Sequence, residues 1–374
     1  MAHHEATENL EILESFSNQS EREKTKIFSS EQLQIFTSDF STHLGSGSFG
    51  DVYQGIYNGE KVAVKVFKEE LAADNIKEQF IAEVSKLGNT HHNNLVKLYG
   101  FCFTPKIKAL VYEFMEMESL DKVLHGKQSL KWETLCNIAI GTAKGLAYLH
   151  VDCQPSIIHY GIKPSNILLD SSYSPKIGDF GLDKLLKIDV THVSTMTHVR
   201  GAPYYCTPEI YLPYLTVNYK CDIYSYGMML FDIVSMGKYQ HQQGEDWFPR
   251  TVWDKYEKGK LEEVMADCIE EKDKDMAKRI LMIALNCVEF SASQRPSMSD
   301  VVKMLEGKKD PRLPPNWFLS SPPQASSSMV VPNKRNLELE SGLVEKMINP
   351  HHEKEKVNIS LYIVSDSEIP FNFS

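Results

Sequence analysis

The first 28 residues are polar and charged. Only Leu10, Ile12, Leu13 and Phe16 are spaced for a short amphipathic turn, so the pattern predicts a loosely ordered arm. Ser29-Ser30-Glu31-Gln32 then reads as a capping box, opening a helix that carries Leu33 and Phe36 toward a core. From Leu44 the period shortens to two. A glycine cluster separates His43–Leu44 from Asp51–Ile56, and Asn58-Gly59 turns the chain into a third run, Lys61–Phe67. Ile76, Phe80, Val84 and Leu87 return to helical spacing over Ile76–Gly88, and Leu95–Phe101 and Ala109–Phe114 read as two further strands. Five strands and one helix in this order predict a small antiparallel-sheet lobe.

After Met115 the spacing is mostly helical. Trp132–His150, Tyr219–Ser235, Lys278–Phe290 and Pro296–Leu305 are the apolar helices, the last stopped by Gly307. The fold class is therefore α+β, a β-rich lobe ahead of a helical one, with a cleft expected between them. The segments divide into 1–38, arm and lead-in helix; 39–115, small lobe and hinge; 116–307, large lobe; and 308–374, a tail. The Ser/Pro-rich run from Ser320 to Met329 makes that tail linker-like, and it is expected to be disordered.

Composition narrows the partners. Hydrophobic residues make up 42% of the 374 and charged residues 24%, ordinary for a globular protein with a sizeable core. A formal net charge of −10 argues against nucleic acid or an anionic membrane as the main partner. The longest apolar stretch, Ser225–Gly237, carries Asp232 and is too short to span a bilayer, so no transmembrane segment is expected. The seven cysteines are scattered without a C-x-x-C pair. With no signal-like N-terminus, they read as reduced thiols of a cytoplasmic protein.

The chemistry starts at Gly45-Ser-Gly47-Ser-Phe-Gly50-Asp-Val52. In a dinucleotide-binding fold a helix follows such a glycine run; here a second strand does, as in a hairpin that covers a nucleotide. On the next strand, alternation puts Ala63 and Lys65 on one face, toward the cleft. A lysine held there needs a counter-charge, and Glu83 on the following helix is the candidate. Three further elements follow: His159-Tyr-Gly161-Ile-Lys163-Pro-Ser-Asn166-Ile-Leu168, Asp179-Phe-Gly181 and Thr207-Pro208-Glu209.

In that order and spacing the set resembles a eukaryotic protein kinase from Asp39 to about Gly307. His91-His92-Asn-Asn-Leu-Val, Leu110-Val-Tyr112-Glu113-Phe-Met115 and Cys221-Asp222-Ile-Tyr-Ser-Tyr-Gly227 are similar to plant receptor-like Ser/Thr kinases, the rust-resistance group above all. The resemblance implies ATP and Mg²⁺ as ligands. Leu44, Val52, Ala63 and Leu168 would enclose adenine. Glu113 and Met115 would meet it at the hinge, with Tyr112 beside them. Gly45, Gly47, Gly50, Lys65 and Glu83 would hold phosphates, and Asn166 and Asp179 the metal. Asp222, and Glu209 with Arg295, would brace the larger lobe. A partner kinase or receptor complex, possible defence signalling and an uncertain protein substrate follow from the same resemblance.

The pattern then breaks. The family places an aspartate five residues before the metal-binding asparagine, and that position is Gly161. The aspartate accepts the substrate hydroxyl's proton; glycine has no side chain to do so. Tyr160 replaces an arginine, Ala202 a threonine that touches the aspartate, Tyr204 a glycine and Thr207 an alanine. These four, with Gly161, predict a relaxed peptide-phosphorylating surface and a pseudokinase in which Lys163 is the catalytic group that remains. The alternative is an active Ser/Thr kinase passing the γ-phosphate of ATP to protein hydroxyls.

Overall fold

The computed structural model describes residues 25–47, 50–68, 80, 84, 86–88, 90–126, 130–179, 203–210, 217–238 and 248–312. The first lobe is a six-stranded sheet with β1 Lys26–Ile27, β2 His43–Ser46, β3 Gly50–Tyr57, β4 Glu60–Phe67, β5 Leu98–Phe103 and β6 Lys108–Glu113, in the order β1-β5-β6-β4-β3-β2. Asn58 and Gly59 both take positive φ, +53° and +83°, so β3 and β4 close on a two-residue turn with Tyr57 opposite Glu60. That turn sets the register that puts Lys65 opposite Val52 on one side and Leu110 on the other.

The two faces of the sheet have different partners. Val62, Val64, Ala109 and Val111 pack with Phe28 and Leu33 under helix α1 (Ser30–Phe36). Leu98, Phe101, Leu110 and Tyr112 join Phe80, Val84 and Leu87 on the other face. The expected capping box at α1 is present: Gln32 N donates to Ser29 Oγ at 3.2 Å and Ser29 N to Gln32 Oε1 at 2.8 Å.

The arm expected over residues 1–28 gives way before its end. Thr25 and Phe28 are buried, and β1 adds to the sheet in parallel against Gly100 and Phe101. Glycine at 100 makes this possible, because a Cβ there would stand 2.2 Å from Lys26 O. Two residues carry no period, so the pattern of side chains does not announce this strand. Residues 1–24 lie outside the described residues.

The second lobe is built on α4 (Lys220–Ser235), apolar around most of its circumference and buried almost throughout. It packs on α6 (Lys274–Cys287) and α3 (Trp132–Ala147), with α7 (Met298–Leu305) closing over α3. The helix expected to reach His150 becomes a wider π turn at Tyr148–Asp152. Two helices were not foreseen, α2 (Leu120–His125) and α5 (Phe248–Glu257). In α5, Pro249 reads as a breaker in sequence but sits in the first turn, where its missing N–H costs nothing. A small hairpin, β7 Ile167–Leu169 and β8 Pro175–Ile177, is joined through Ile177 to Leu95 and Val96, just ahead of β5. Contacts continue past Gly307: Asn286, fully buried, exchanges hydrogen bonds with the Arg312 backbone at 2.9 and 3.1 Å. The tail from residue 313 lies outside the described residues. Among those described, no helix is long and apolar enough to cross a membrane.

Candidate functional site: a nucleotide-type cleft and the loop beneath it

Between the lobes lies a cleft of about 390 Å³. Leu44, Gly45, Val52 and Ala63 line it from the sheet, Glu113 from the end of β6 and Met115 from the connection after it, and Asn166, Leu168 and Asp179 from below. The pattern also missed some lining residues. Val96, Phe114, Ser119 and Gly178 lie at strand ends and connections, where neither period applies, and Lys122 lies on α2, a helix the pattern did not announce.

Lys65 is the buried cation of this cleft. Its Nζ stands 2.7 Å from Asp179 Oδ1. Burial pushes the Asp179 carboxyl up, but the charge and hydrogen bond of Lys65, with Lys163 further off, more than offset that, so it rests below the usual carboxylate range. The partner expected from sequence, Glu83, lies outside the described residues. Asp179 adopts φ +60°, a left-handed conformation an aspartate tolerates better than most side chains.

Gly47 and Gly50 are not among the lining residues; they shape the hairpin over the cleft. Gly47 N donates to Gly50 O at 2.7 Å, and a Cβ at Gly50 would stand 2.3 Å from Val66 O. Only glycine lets β3 lie that close to β4 at this point. At the other end of the cleft, Glu113 Oε1 accepts from Lys97 N at 2.7 Å and Lys176 Nζ at 3.0 Å, pinning the connection to elements of both lobes.

Beneath the cleft the loop His159–Asn166 hangs on Asp222. That carboxylate is fully buried and accepts from His150 Nε2 at 2.9 Å, His159 N at 2.8 Å and Tyr160 N at 2.8 Å. Burial alone would raise it; His150 and the loop's donors bring it below the usual range, so it is ionised. His159 donates from Nε2 to Gly178 O at 2.9 Å and accepts at Nδ1 from Gly161 N at 3.1 Å. Those roles fit a neutral ring, and burial drives its pKa down to match. Tyr160 takes φ +67°, an outlier for so bulky a side chain, held by its N–H on Asp222. Its ring lies under Lys86 Nζ at 5.8 Å, and the same Nζ donates to Ile158 O at 3.0 Å.

Gly161 presents only backbone: its carbonyl accepts Asn166 Nδ2 at 2.8 Å. That bond leaves Asn166 Oδ1 as the amide oxygen for the cleft. Lys163 lines a second, much smaller cavity together with Gly161, Cys206 and Thr207.

Two expectations for the segment after residue 202 need correction. Thr207 and Tyr204 were expected on the peptide-facing surface. Thr207 is instead wholly buried, donating to Glu209 Oε2 and accepting from Arg295 Nη1 at 3.0 Å. Arg295, also buried, stands 2.8 Å from Glu209 Oε1, so the threonine hydroxyl is part of an ion-pair network. The Tyr204 hydroxyl is buried too, and its ring packs edge-on against Tyr205 at 5.1 Å. Residue type alone cannot separate a substitution at a surface from one beneath it. Gly181 and Ala202 lie outside the described residues.

Comparison with known proteins agrees with this geometry. The family model described as protein tyrosine and serine/threonine kinase matches residues 38–305. The chain is 38% identical over 309 residues to the PR5-like receptor kinase of Arabidopsis thaliana, covering 79% of this chain and 46% of that protein. It is 39% identical over 320 residues to a leaf rust 10 disease-resistance locus receptor-like protein kinase (like 2.4) of the same plant, covering 82% and 51%. To the rust resistance kinase Lr10 of Triticum aestivum it is 39% identical over 295 residues, covering 75% and 46%. The chain thus spans about half the length of the curated relatives it matches. With the two lobes, the glycine hairpin and the motifs of the cleft in place over that span, the chain belongs to the protein tyrosine and serine/threonine kinase family and resembles its plant receptor-like members.

Proposed function

We propose that this chain is a nucleotide-binding pseudokinase of the receptor-like Ser/Thr type, one that takes up Mg-ATP but transfers phosphate poorly. The observation that carries the reading is the contrast across a few residues. Lys65 and Asp179 stand 2.7 Å apart beside Asn166, whereas Gly161 offers no side chain. In this reading Leu44, Val52, Ala63 and Leu168 enclose adenine, and Glu113 and Met115 meet its edge through their backbone. Gly45, Gly47 and Gly50 let the hairpin backbone approach the phosphates, with Lys65 held ready by Glu83 and Asp179.

The donor set suits Mg²⁺, a hard cation satisfied by one or two protein oxygens plus phosphate. Asp179 is ionised and Asn166 has an amide oxygen to give. Bound Mg²⁺ would neutralise phosphate charge; the protein's own part is to place Lys65, Lys163 and the two oxygen ligands around it.

No carboxylate at 161 accepts the proton of an acceptor hydroxyl. Losing a general base costs ~10²–10⁴-fold, about 3–5 kcal/mol of barrier. Positioning and charge remain, so a residual rate is compatible with the site. The second reading, an active Ser/Thr kinase, draws on Lys163 lying close enough to Asp179 to lower its pKa, and on the fully braced loop. In the pseudokinase reading the nucleotide-bound form acts as a switch or scaffold for a partner kinase or receptor complex, in the cytoplasm. The names of the rust-resistance relatives suggest a defence setting.

A thermal melt with and without Mg-ATP tests the binding half. At 100 times its dissociation constant the ligand should add about 2.7 kcal/mol. A melt that Mg-ATP leaves unchanged overturns the reading.

A further inference from the structure

The glycine hairpin is tied down from outside the cleft. Lys68, one residue past the end of β4, donates from Nζ to Gly47 O at 3.3 Å and stands 3.7 Å from Asp51 Oδ1. His43 Nε2, on β2, lies 3.1 Å from Ser46 Oγ and 3.9 Å from Asp51 Oδ1. The Ser46 hydroxyl, with Lys68 and His43, holds the Asp51 carboxyl below the usual range. Four side chains from three consecutive strands and their edges thus converge on the base of one turn. The turn's own closure, Gly47 N to Gly50 O, is directly beside them.

We propose that Lys68 is a positioning residue for the phosphate end of the nucleotide site, tethering the glycine hairpin through the Gly47 carbonyl and Asp51 to the strand that carries Lys65. The inference rests on the nucleotide-binding reading above and concerns the same cleft. Its physical basis is the flexibility of glycine. A turn built on Gly45, Gly47 and Gly50 loses more backbone entropy on ordering than any other sequence would. A tether already present in the free protein removes part of that loss from the binding step. Only a ligand with phosphates uses the ordered turn. Adenosine, held by the sheet and the hinge connection, does not.

The test is equilibrium binding of ATP, ADP and adenosine to the full chain, read by calorimetry, with the melt of each free variant as a folding control. Lys68→Met should weaken ATP and ADP about two- to fivefold, the worth of a partly exposed tether, and leave adenosine unchanged. Lys68→Arg keeps donors for both Gly47 O and Asp51 and should restore ATP binding. Asp51→Asn separates tether from bare charge: as a tether anchor its loss weakens ATP, whereas removal of a negative charge near phosphate would strengthen it. Equal weakening of ATP and adenosine, no weakening of either, failure of arginine to rescue, or tighter ATP binding by Asp51→Asn each overturns the proposal. Wild-type protein that binds adenosine and ATP while Lys68→Met changes nothing overturns it alone. Wild-type protein that binds neither overturns the nucleotide reading, and the tether with it.

Discussion

The two sides of the cleft floor differ in what they hold. On the nucleotide side, Lys65, Asp179 and Asn166 are each engaged by a named partner within 2.7–2.8 Å, and the hairpin above them is closed and tethered. On the acceptor side the loop is braced just as firmly by Asp222, but the position that faces an acceptor carries no side chain at all. Near it, Thr207 and Tyr204 put their hydroxyls into the interior. In the reading proposed above, the acceptor side is therefore intact as packing and depleted as chemistry. A fold relaxing in general would lose its buried ion pairs and its loop brace as readily as a base. Among the described residues the buried ion pair and the loop brace are kept while position 161 has no side chain, the pattern that our reading of retained binding and lost transfer calls for.

The strongest way to break this comparison is to ask whether the acceptor side is structurally sound. Arg295 is fully buried against Glu209, with Thr207 bridging them. Arg295→Ala leaves a buried carboxylate without its cation and should cost about 3–5 kcal/mol in urea unfolding. A loss under ~1 kcal/mol, the level of an exposed pair, would mean that this side is loosened and that the contrast is false.

Next comes the nucleotide side. Lys65→Met and Asp179→Asn should each remove most of the roughly 2.7 kcal/mol that saturating Mg-ATP adds to stability. Retention of the full shift in either variant would place the ligand elsewhere.

A pH effect should follow from Asp232, which ties Tyr205 of the acceptor segment to α4 through a 2.5 Å hydrogen bond. Burial raises its pKa from 3.8 to about 7, against the lowering by Tyr205 and by nearby His125. The folded state therefore holds a proton that the unfolded state has released between those two values. Stability contributed by this group is present below pH 3.8 and is lost as pH rises toward 7. The slope is at most about 1.4 kcal/mol per pH unit. Asp232→Asn, compared with wild type by denaturant unfolding at pH 5, 6 and 7, should flatten it. An identical slope in both proteins would show that this carboxyl is not the group responsible.

The smallest effect concerns the lead-in helix that seals the outer face of the nucleotide-side sheet. Ser29→Ala breaks the capping box and should cost about 1 kcal/mol, read as a lower melting temperature. No change would mean that Leu33, not the cap, fixes α1.

What the sequence disclosed depends on the range of the interaction. The hairpin of β3 and β4 was legible because Asn58-Gly59 and strict alternation are local signals, and α1 because its cap lies three residues from its partner. β1 was not, since two residues have no period and their place depends on Gly100, far along the chain. Within the site, residue types at family spacing pointed to Lys65, Asn166 and Asp179. The direct contact of Lys65 with Asp179 bridges 114 positions and had no local sign. Thr207 was misplaced for a different reason: the pairing of Glu209 with Arg295 was expected, but residue type does not show that the Thr207 hydroxyl is turned inward to join it. Lys68 carries no mark in the sequence, and only its distance to Gly47 O in the fold singles it out.

The central claim, binding kept and transfer lost, is tested most directly by γ-phosphate transfer to a peptide from labelled Mg-ATP, with wild type beside Gly161→Asp. The account predicts background transfer by the wild type and a partial gain in the variant, since the aspartate would regain its place on the braced loop while Ala202 still lacks a hydroxyl to meet it. Wild-type turnover in the ~1–100 s⁻¹ range of ordinary kinases, abolished by Asp179→Asn, would contradict it and make this chain an active kinase with another base.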